Sequence, residues 1–211
     1  MSWTAVRTVA VLELRQRVRS TRWRVMLVVW GVVLVLLCGG LSALAGMSGG
    51  KHEEIAPILY DVTLSFVLGI GLIVAPTLSA TSINGDRADA TLALLQATAL
   101  RSHEIVVGKL LAAWLAALAF LAVAAPFLLV FTMTGGASWT ALVGHLLILA
   151  VSLGAVCAIG LGLSAATARP SASAVLTYLV VTALVIGTPI MMTLSTTAVH
   201  GKQRSIVSVS Y

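Results

Sequence analysis

Charge is what this 211-residue sequence has least of: only 9% of its residues are Asp, Glu, Lys or Arg. A soluble domain carries about 25%, so a chain this poor in charge cannot cover a water-facing surface. Cysteine is nearly absent too, with two residues, Cys38 and Cys157. Both fall inside apolar runs, at depths that differ by about 15 Å at the helical rise. That is too far for a disulfide, and two isolated cysteines make no metal site. They read as small packing residues. Motifs for chemistry are missing as well. There is no H-E-x-x-H and no nucleophile paired with a base. The nearest approach to a phosphate loop, Gly46-Met-Ser-Gly-Gly-Lys51-His52, is one residue short between its glycines and has His52 where Ser or Thr belongs. The chain therefore reads as neither an ATPase nor any other enzyme, with no cofactor of its own.

What is present is apolar length. Hydrophobic residues make up 59% of the chain, mean hydropathy is +1.06, and the apolar residues fall in long blocks. Runs of about 20 cross a bilayer core of roughly 30 Å. The blocks place spans at 25–46, 57–80, 105–133, 137–165 and 172–194. The fold class is all-α: a polytopic membrane helix bundle, preceded by an interfacial helix over about 3–22. The apolar stretch from Val25 is too long for a signal-peptide core, so the first span is read as retained.

The basic residues orient the bundle. Arg7, Arg15, Arg17, Arg19, Arg22 and Arg24 precede the first span, against one acid, Glu13. With the N-terminus inside, the inner segments 1–24, 81–104 and 166–171 also hold Arg87, Arg101 and Arg169, while the outer ones hold Lys51, Lys202 and Arg204. That split gives a cytoplasmic N-terminus in a multi-pass protein of the cell (inner) membrane. A basic cluster next to an apolar run reads as membrane-facing rather than nucleic-acid-binding. On a helical wheel Arg7, Arg15, Arg19 and Arg22 share one arc. Trp3, Val6, Ala10 and Leu14 share another, on which Glu13 and Arg17 intrude. Arg15, Arg19, Arg22 and Arg24 are the candidate membrane-surface residues, facing anionic head groups.

Ionisable residues within spans are functional candidates by default. Asp61 lies about a turn from the outer end of its span, His145 about two turns from the outer end of the fourth, and Lys109 one turn inside the third, where it can snorkel inward. None reaches the midplane, where an ion-coupled carrier needs them. Small residues recur at helix-facing spacing: Ala112, Ala116, Ala119 and Ala122 in the third span, and Gly154, Ala158 and Gly162 in the fourth.

The most informative stretch is the inner interval between the second and third spans. Asn84 or Gly85 can end one helix, and Asp86 and Asp89 suit the start of another, where the dipole favours negative charge. Ala88, Leu92, Leu95 and Ala99 form one apolar stripe. Ser102 with Glu104 can start the third span. A short amphipathic helix there is a natural docking surface for a soluble partner.

These residues resemble the coupling-helix region of the permease subunits of type-2 ABC transporters. That family's acid-Arg pair, Gly-Thr-Leu, leucine run, Thr-Pro-Leu and Gly-Lys-Leu correspond here to Asp86-Arg87, Ala90-Thr91-Leu92, Leu94-Leu95, Thr98-Ala99-Leu100 and Gly108-Lys109-Leu110. Asp86 stands where Glu is usual, Ala90 for Gly and Ala99 for Pro, with order and spacing intact. The basic helix before the first span is similar to that family's elbow helix. The resemblance implies one half of a transporter, more often an exporter, paired with a second permease copy or homologue. Separate ABC ATPase subunits carrying ATP and Mg would dock under 82–104. Asp86, Arg87, Asp89, Thr91, Leu92 and Leu95 are then the partner-binding candidates. The resemblance also implies six spans. Five are visible, so 196–211 is read as an external tail and the natural chain is expected to continue past Tyr211. The alternative function is a membrane anchor or regulatory subunit of a cytoplasmic complex, without a pathway of its own.

Overall fold

A computed structural model of the chain describes residues 3–47, 52–88 and 101–209, with the side chains of 52–54, 88 and 196–209 left aside. The described residues form helices and no strands. They are α1 (Trp3–Arg19), α2 (Thr21–Met47), α3 (His52–Ser79), α4 (Asn84–Ala88), α5 (Ser102–Met133), α6 (Trp139–Ala166) and α7 (Pro170–Val209). Five of these, α2, α3, α5, α6 and α7, are long and apolar enough to cross a membrane. The chain is a polytopic helical membrane bundle, as the apolar blocks predict.

Local chemistry sets the helix ends. Glu104 accepts the Arg101 backbone N–H at 3.2 Å, half of a capping box, so α5 begins where the Ser102/Glu104 pattern places it. At its other end Gly135 takes φ +91°, a left-handed conformation that costs glycine little. The Gly136 N–H then closes back on the Phe131 carbonyl at 2.8 Å, satisfying one of the orphaned carbonyls of the last turn. Ser138 caps α6 by accepting the Ala141 N–H at 3.2 Å. Pro170 opens α7, where its missing N–H costs nothing.

Helix α5 is the axis of the bundle. Of its most hydrophobic window 44% is buried, against 33% for α6, 28% for α3, 17% for α2 and 11% for α7. Helices α1, α2, α3 and α6 pack on it, and α7 packs on α6 and α3. The main core joins Trp30 and Leu34 of α2, Val67 and Ala75 of α3, Phe120 and Ala124 of α5, and Leu153 and Cys157 of α6. A smaller core toward the α5–α6 turn gathers Cys38, Tyr60, Leu128, Phe131 and Leu142. Buried aromatic donors find main-chain acceptors: Trp30 Nε1 donates to the Phe120 carbonyl at 3.0 Å and Trp114 Nε1 to Ala150 at 2.8 Å. In an apolar medium such a donor has no water to fall back on. Cys38 and Cys157 are free thiols in separate parts of this core.

Small residues set the closest approaches: of the three predicted on α6, Gly154 packs on Trp114, where a Cβ would come within 3.1 Å of Nε1, while Ala158 is exposed. A Cβ at Gly162 would meet nothing, whereas one at Gly160 would overlap Ser79 Oγ of α3. The working stripe is Leu153, Cys157, Gly160 and Ser164, all buried. On α5, Ala112 and Ala116 are buried as expected, but Ala113, Ala117 and Ala124 complete the packing face, and Ala122 is exposed.

Candidate functional site: a polar node at one end of the bundle

Helix α1 carries Val6, Val9, Ala10, Glu13 and Arg17 on a single stripe, the i, i+3/i+4, i+7, i+11 spacing of one helix face. Val6, Val9 and Ala10 are buried and meet α5 at Gly108. A Cβ there would come within 2.7 Å of the Val9 Cβ and 3.1 Å of the Val6 carbonyl oxygen. Only glycine admits so close an approach. The apolar face of α1 thus rests on the bundle rather than on lipid. The exposed face holds Arg15 and Arg19, with Arg22 and Arg24 exposed just beyond on α2.

One turn further along the stripe the contact changes from apolar to ionic. Lys109, next to Gly108, is 2% exposed and does not snorkel. Its ammonium is ion-paired with Glu13 Oε1 of α1 and sits 2.7 Å from Asp86 Oδ2 of α4. Burying an ammonium is costly unless it is paired and hydrogen-bonded, and two carboxylates from different helices meet that need. Arg17 lies 3.9 Å from Glu13 and donates from Nη2 to the Leu78 carbonyl at 2.8 Å. The residues that spoil the amphipathic pattern of α1 are therefore those that bind it to α3, α4 and α5.

The end of α3 is tied from the other side too. Ser164 Oγ of α6 accepts the backbone N–H groups of Ile83 and Asn84 at 3.1 and 3.2 Å. Asn84 Nδ2 donates to Thr167 Oγ1 at 3.2 Å, and Ser173 Oγ of α7 donates to the Ala80 carbonyl. The turn between α3 and α4, whose backbone groups lie beyond the helical ladder, is thus supplied with partners by α6 and α7.

The described parts of the segments predicted to lie on the inner side therefore meet at one end: α1, the α3–α4 turn, the start of α5, and the α6–α7 turn. Asp86 faces inward to Lys109, while Arg87 is exposed beside a shallow pocket of about 170 Å³ that Lys109 and Ser102 also line. Asp89, Thr91, Leu92 and Leu95 lie outside the described residues. So does the rest of the proposed stripe beyond Ala88, whose backbone alone is described.

At the opposite end, Tyr60 Oη lies 2.9 Å from His145 Nδ1, with the rings tilted at 5.7 Å. Gly136 packs there against the Ala56 carbonyl, which a Cβ would approach to 2.8 Å. Asp61, the next residue, is exposed. Sequence spacing gave no sign of the Tyr60–His145 pair, because its members stand 85 positions apart on different helices. Among the described residues no group of His, Cys, Asp and Glu could hold a metal ion.

What the α1 end offers is mechanical: the segment that begins at α4 is joined through a buried charge cluster to the central helix and to an amphipathic helix at the surface. No curated protein matches this chain. The family model described as ABC-2 family transporter protein matches residues 7–207, nearly the whole sequence and all five candidate spans. The chain belongs to the ABC-2 transporter family, as a multi-pass membrane permease component of an ABC transporter.

Proposed function

We propose that this permease forms a translocation path with a second permease copy or homologue and exports its cargo across the cell (inner) membrane, with its N-terminus in the cytoplasm. Separate ABC ATPase subunits bind ATP and Mg and dock beneath residues 82–104. Asp86, Arg87, Asp89, Thr91, Leu92 and Leu95 are the contact candidates.

The observation that carries this reading is the Lys109 cluster. A displacement of the segment starting at Asp86 cannot be absorbed locally, because separating Asp86 from Lys109 leaves a buried charge without one of its partners. Removing one member of a buried pair costs about 3–5 kcal/mol, so motion of α4 is passed to α5 and through Glu13 to α1. The packed small-residue contacts of α5 then favour movement of whole helices over bending of one.

The test uses the permease co-expressed and purified with its ATPase. Changing Leu92 and Leu95 together to Asp places charges on the proposed docking stripe. Membrane insertion is expected to persist, while ATPase co-purification is lost or ATP hydrolysis no longer responds to the permease. Unchanged co-purification and unchanged ATP turnover would refute the docking assignment and favour an anchor or regulatory subunit.

A further inference from the structure

An open apolar groove of about 310 Å³ runs along the outside of the bundle between α2 and α3. Met26, Val29 and Val33 of α2 form one wall, Ile70 and Val74 of α3 the other, and Phe120 of α5 the floor. The volume is at the lower end of the range for ligand pockets, about 300–1,000 Å³. The α2 wall is exposed along its length: Met26 is 40%, Val29 54% and Val33 36% exposed.

The mouth of the groove toward the α1 end is polar. Arg22 continues the α2 wall downward, since 22, 26, 29 and 33 follow the i, i+4, i+7, i+11 spacing of one helix face. Arg22 is exposed, and because helical side chains lean toward the N-terminus its guanidinium can reach past the end of the groove. On the facing helix Thr77 continues the line of Ile70 and Val74 and is exposed, with its hydroxyl donating to the Val74 carbonyl at 2.6 Å. The mouth also lies at the N-terminal end of α2, a 27-residue helix, where the helix dipole adds positive potential. Arg24 points away from this line, about 160° around α2 from Arg22 at 100° per residue.

We propose that the groove is a binding site for one anionic phospholipid from the leaflet on the α1 side. An acyl chain fills the channel between α2 and α3, and its phosphate is met by Arg22. Charge complementarity selects this occupant. A neutral helix from a second copy would gain nothing from a cation placed at one mouth, whereas a lipid with a negative head and an apolar tail matches both parts. The proposal requires only that the chain spans a membrane, so it stands apart from ATPase docking and cargo.

The experiment is native mass spectrometry of the full chain in detergent, titrated with phosphatidylglycerol or with phosphatidylcholine of the same acyl chains. The unchanged chain is expected to retain one phosphatidylglycerol in clear preference to phosphatidylcholine. Arg22→Gln should weaken phosphatidylglycerol about fivefold, the effect of about one basic residue near an anionic head group, and leave phosphatidylcholine unchanged. Val29→Trp, which narrows the channel, should weaken both lipids, and Arg169→Gln, at an exposed arginine of the α6–α7 turn, should weaken neither. Equal losses in the two arginine variants, or unchanged binding in Val29→Trp, would overturn the proposal. So would an efficient disulfide between two copies through Met26→Cys in a background without Cys38 and Cys157, which would give the groove to a second copy.

Discussion

At the scale of the residue, Lys109 is the side chain on which most depends. It is buried between Glu13 and Asp86, and its removal leaves two carboxylates facing each other with Arg17 beside only one of them. Lys109→Met is therefore expected to cost about 3 kcal/mol, within the range for an orphaned buried charge. Adding Glu13→Gln and Asp86→Asn should return at least half of that, because the neutral triad has no charge to solvate. Thermal unfolding of the detergent-solubilised variants checks this, and a triple variant less stable than Lys109→Met would contradict it. Gly160 offers a steric counterpart. Gly160→Ala drives a methyl into Ser79 Oγ, an overpacking of about 1–3 kcal/mol. Ser79→Gly in the same chain should relieve most of it, although Ser79→Gly alone is destabilising; a double-mutant cycle that came out additive would mean that α3 and α6 do not touch there. The sequence showed Lys109 as one charge near a span end, for which snorkelling is the ordinary outcome. What it could not show is that residues 13 and 86 arrive at the same point. Hydropathy places a residue in depth along a helix, and pairing between helices is decided by rotation about their axes.

At the scale of the element, the five spans were legible to within a few residues at most ends, because runs of this length in a charge-poor chain admit little else. The start of α5 was legible as well, with Glu104 acting at the end where its chemistry suits it. Which face each helix turns inward was read less well. Helices α5 and α6 are apolar all round, so no periodic contrast marks the buried side, and Gly162 and Gly160 look alike until α3 is in place. The packing of the amphipathic α1 was left open for a related reason. Its apolar stripe suits lipid and suits a protein groove equally, and Glu13 and Arg17 are faults in the first setting and anchors in the second. The contact at Gly108 separates the two by experiment. Gly108→Leu cannot fit beneath Val6 and Val9, so α1 should lift from α5. Hydrogen exchange of backbone amides over 3–19 is expected to speed up by at least about tenfold, corresponding to a loss of about 1.4 kcal/mol of local protection. Exchange in α6, which has no part in this contact, should be unchanged. If α1 lay on lipid alone, the substitution would leave its protection as it was.

At the scale of the whole molecule, the structure fixes which segments share an end, and the charge distribution proposes which side of the membrane that end occupies. Arg17, Asp86, Arg87, Arg101, Lys109 and Arg169 all belong to the end where α1 packs, and the Thr134–Ser138 turn belongs to the other. Moving any one of these segments across the bilayer would break contacts already described, so the orientation is a single binary choice. The basic excess selects the cytoplasm for the α1 end. Helix α7 bears on the same choice through its length. Its 40 residues extend about 60 Å, more than the roughly 45 Å of a bilayer with its head groups, so its last turns, with Lys202 and Arg204, must project beyond the hydrocarbon on the side away from α1. Single cysteines in a background of Cys38→Ala and Cys157→Ala decide the matter. Ser102→Cys and Ala168→Cys, both exposed at the α1 end, should resist a membrane-impermeant maleimide on intact cells and react after permeabilisation. Thr134→Cys, exposed at the opposite end, should react on intact cells, and Ser205→Cys near the end of α7 should react with it. The reverse pattern would invert the bundle and put the proposed ATPase-docking segment outside the cell, where no ATP supply reaches it. A mixed pattern, with Ser102 and Ala168 on different sides, would instead contradict the fold itself, because the α3–α4 turn is held by Ser164 of α6 and by Thr167 just beyond it on one side and joined to α5 through Asp86 and Lys109 on the other.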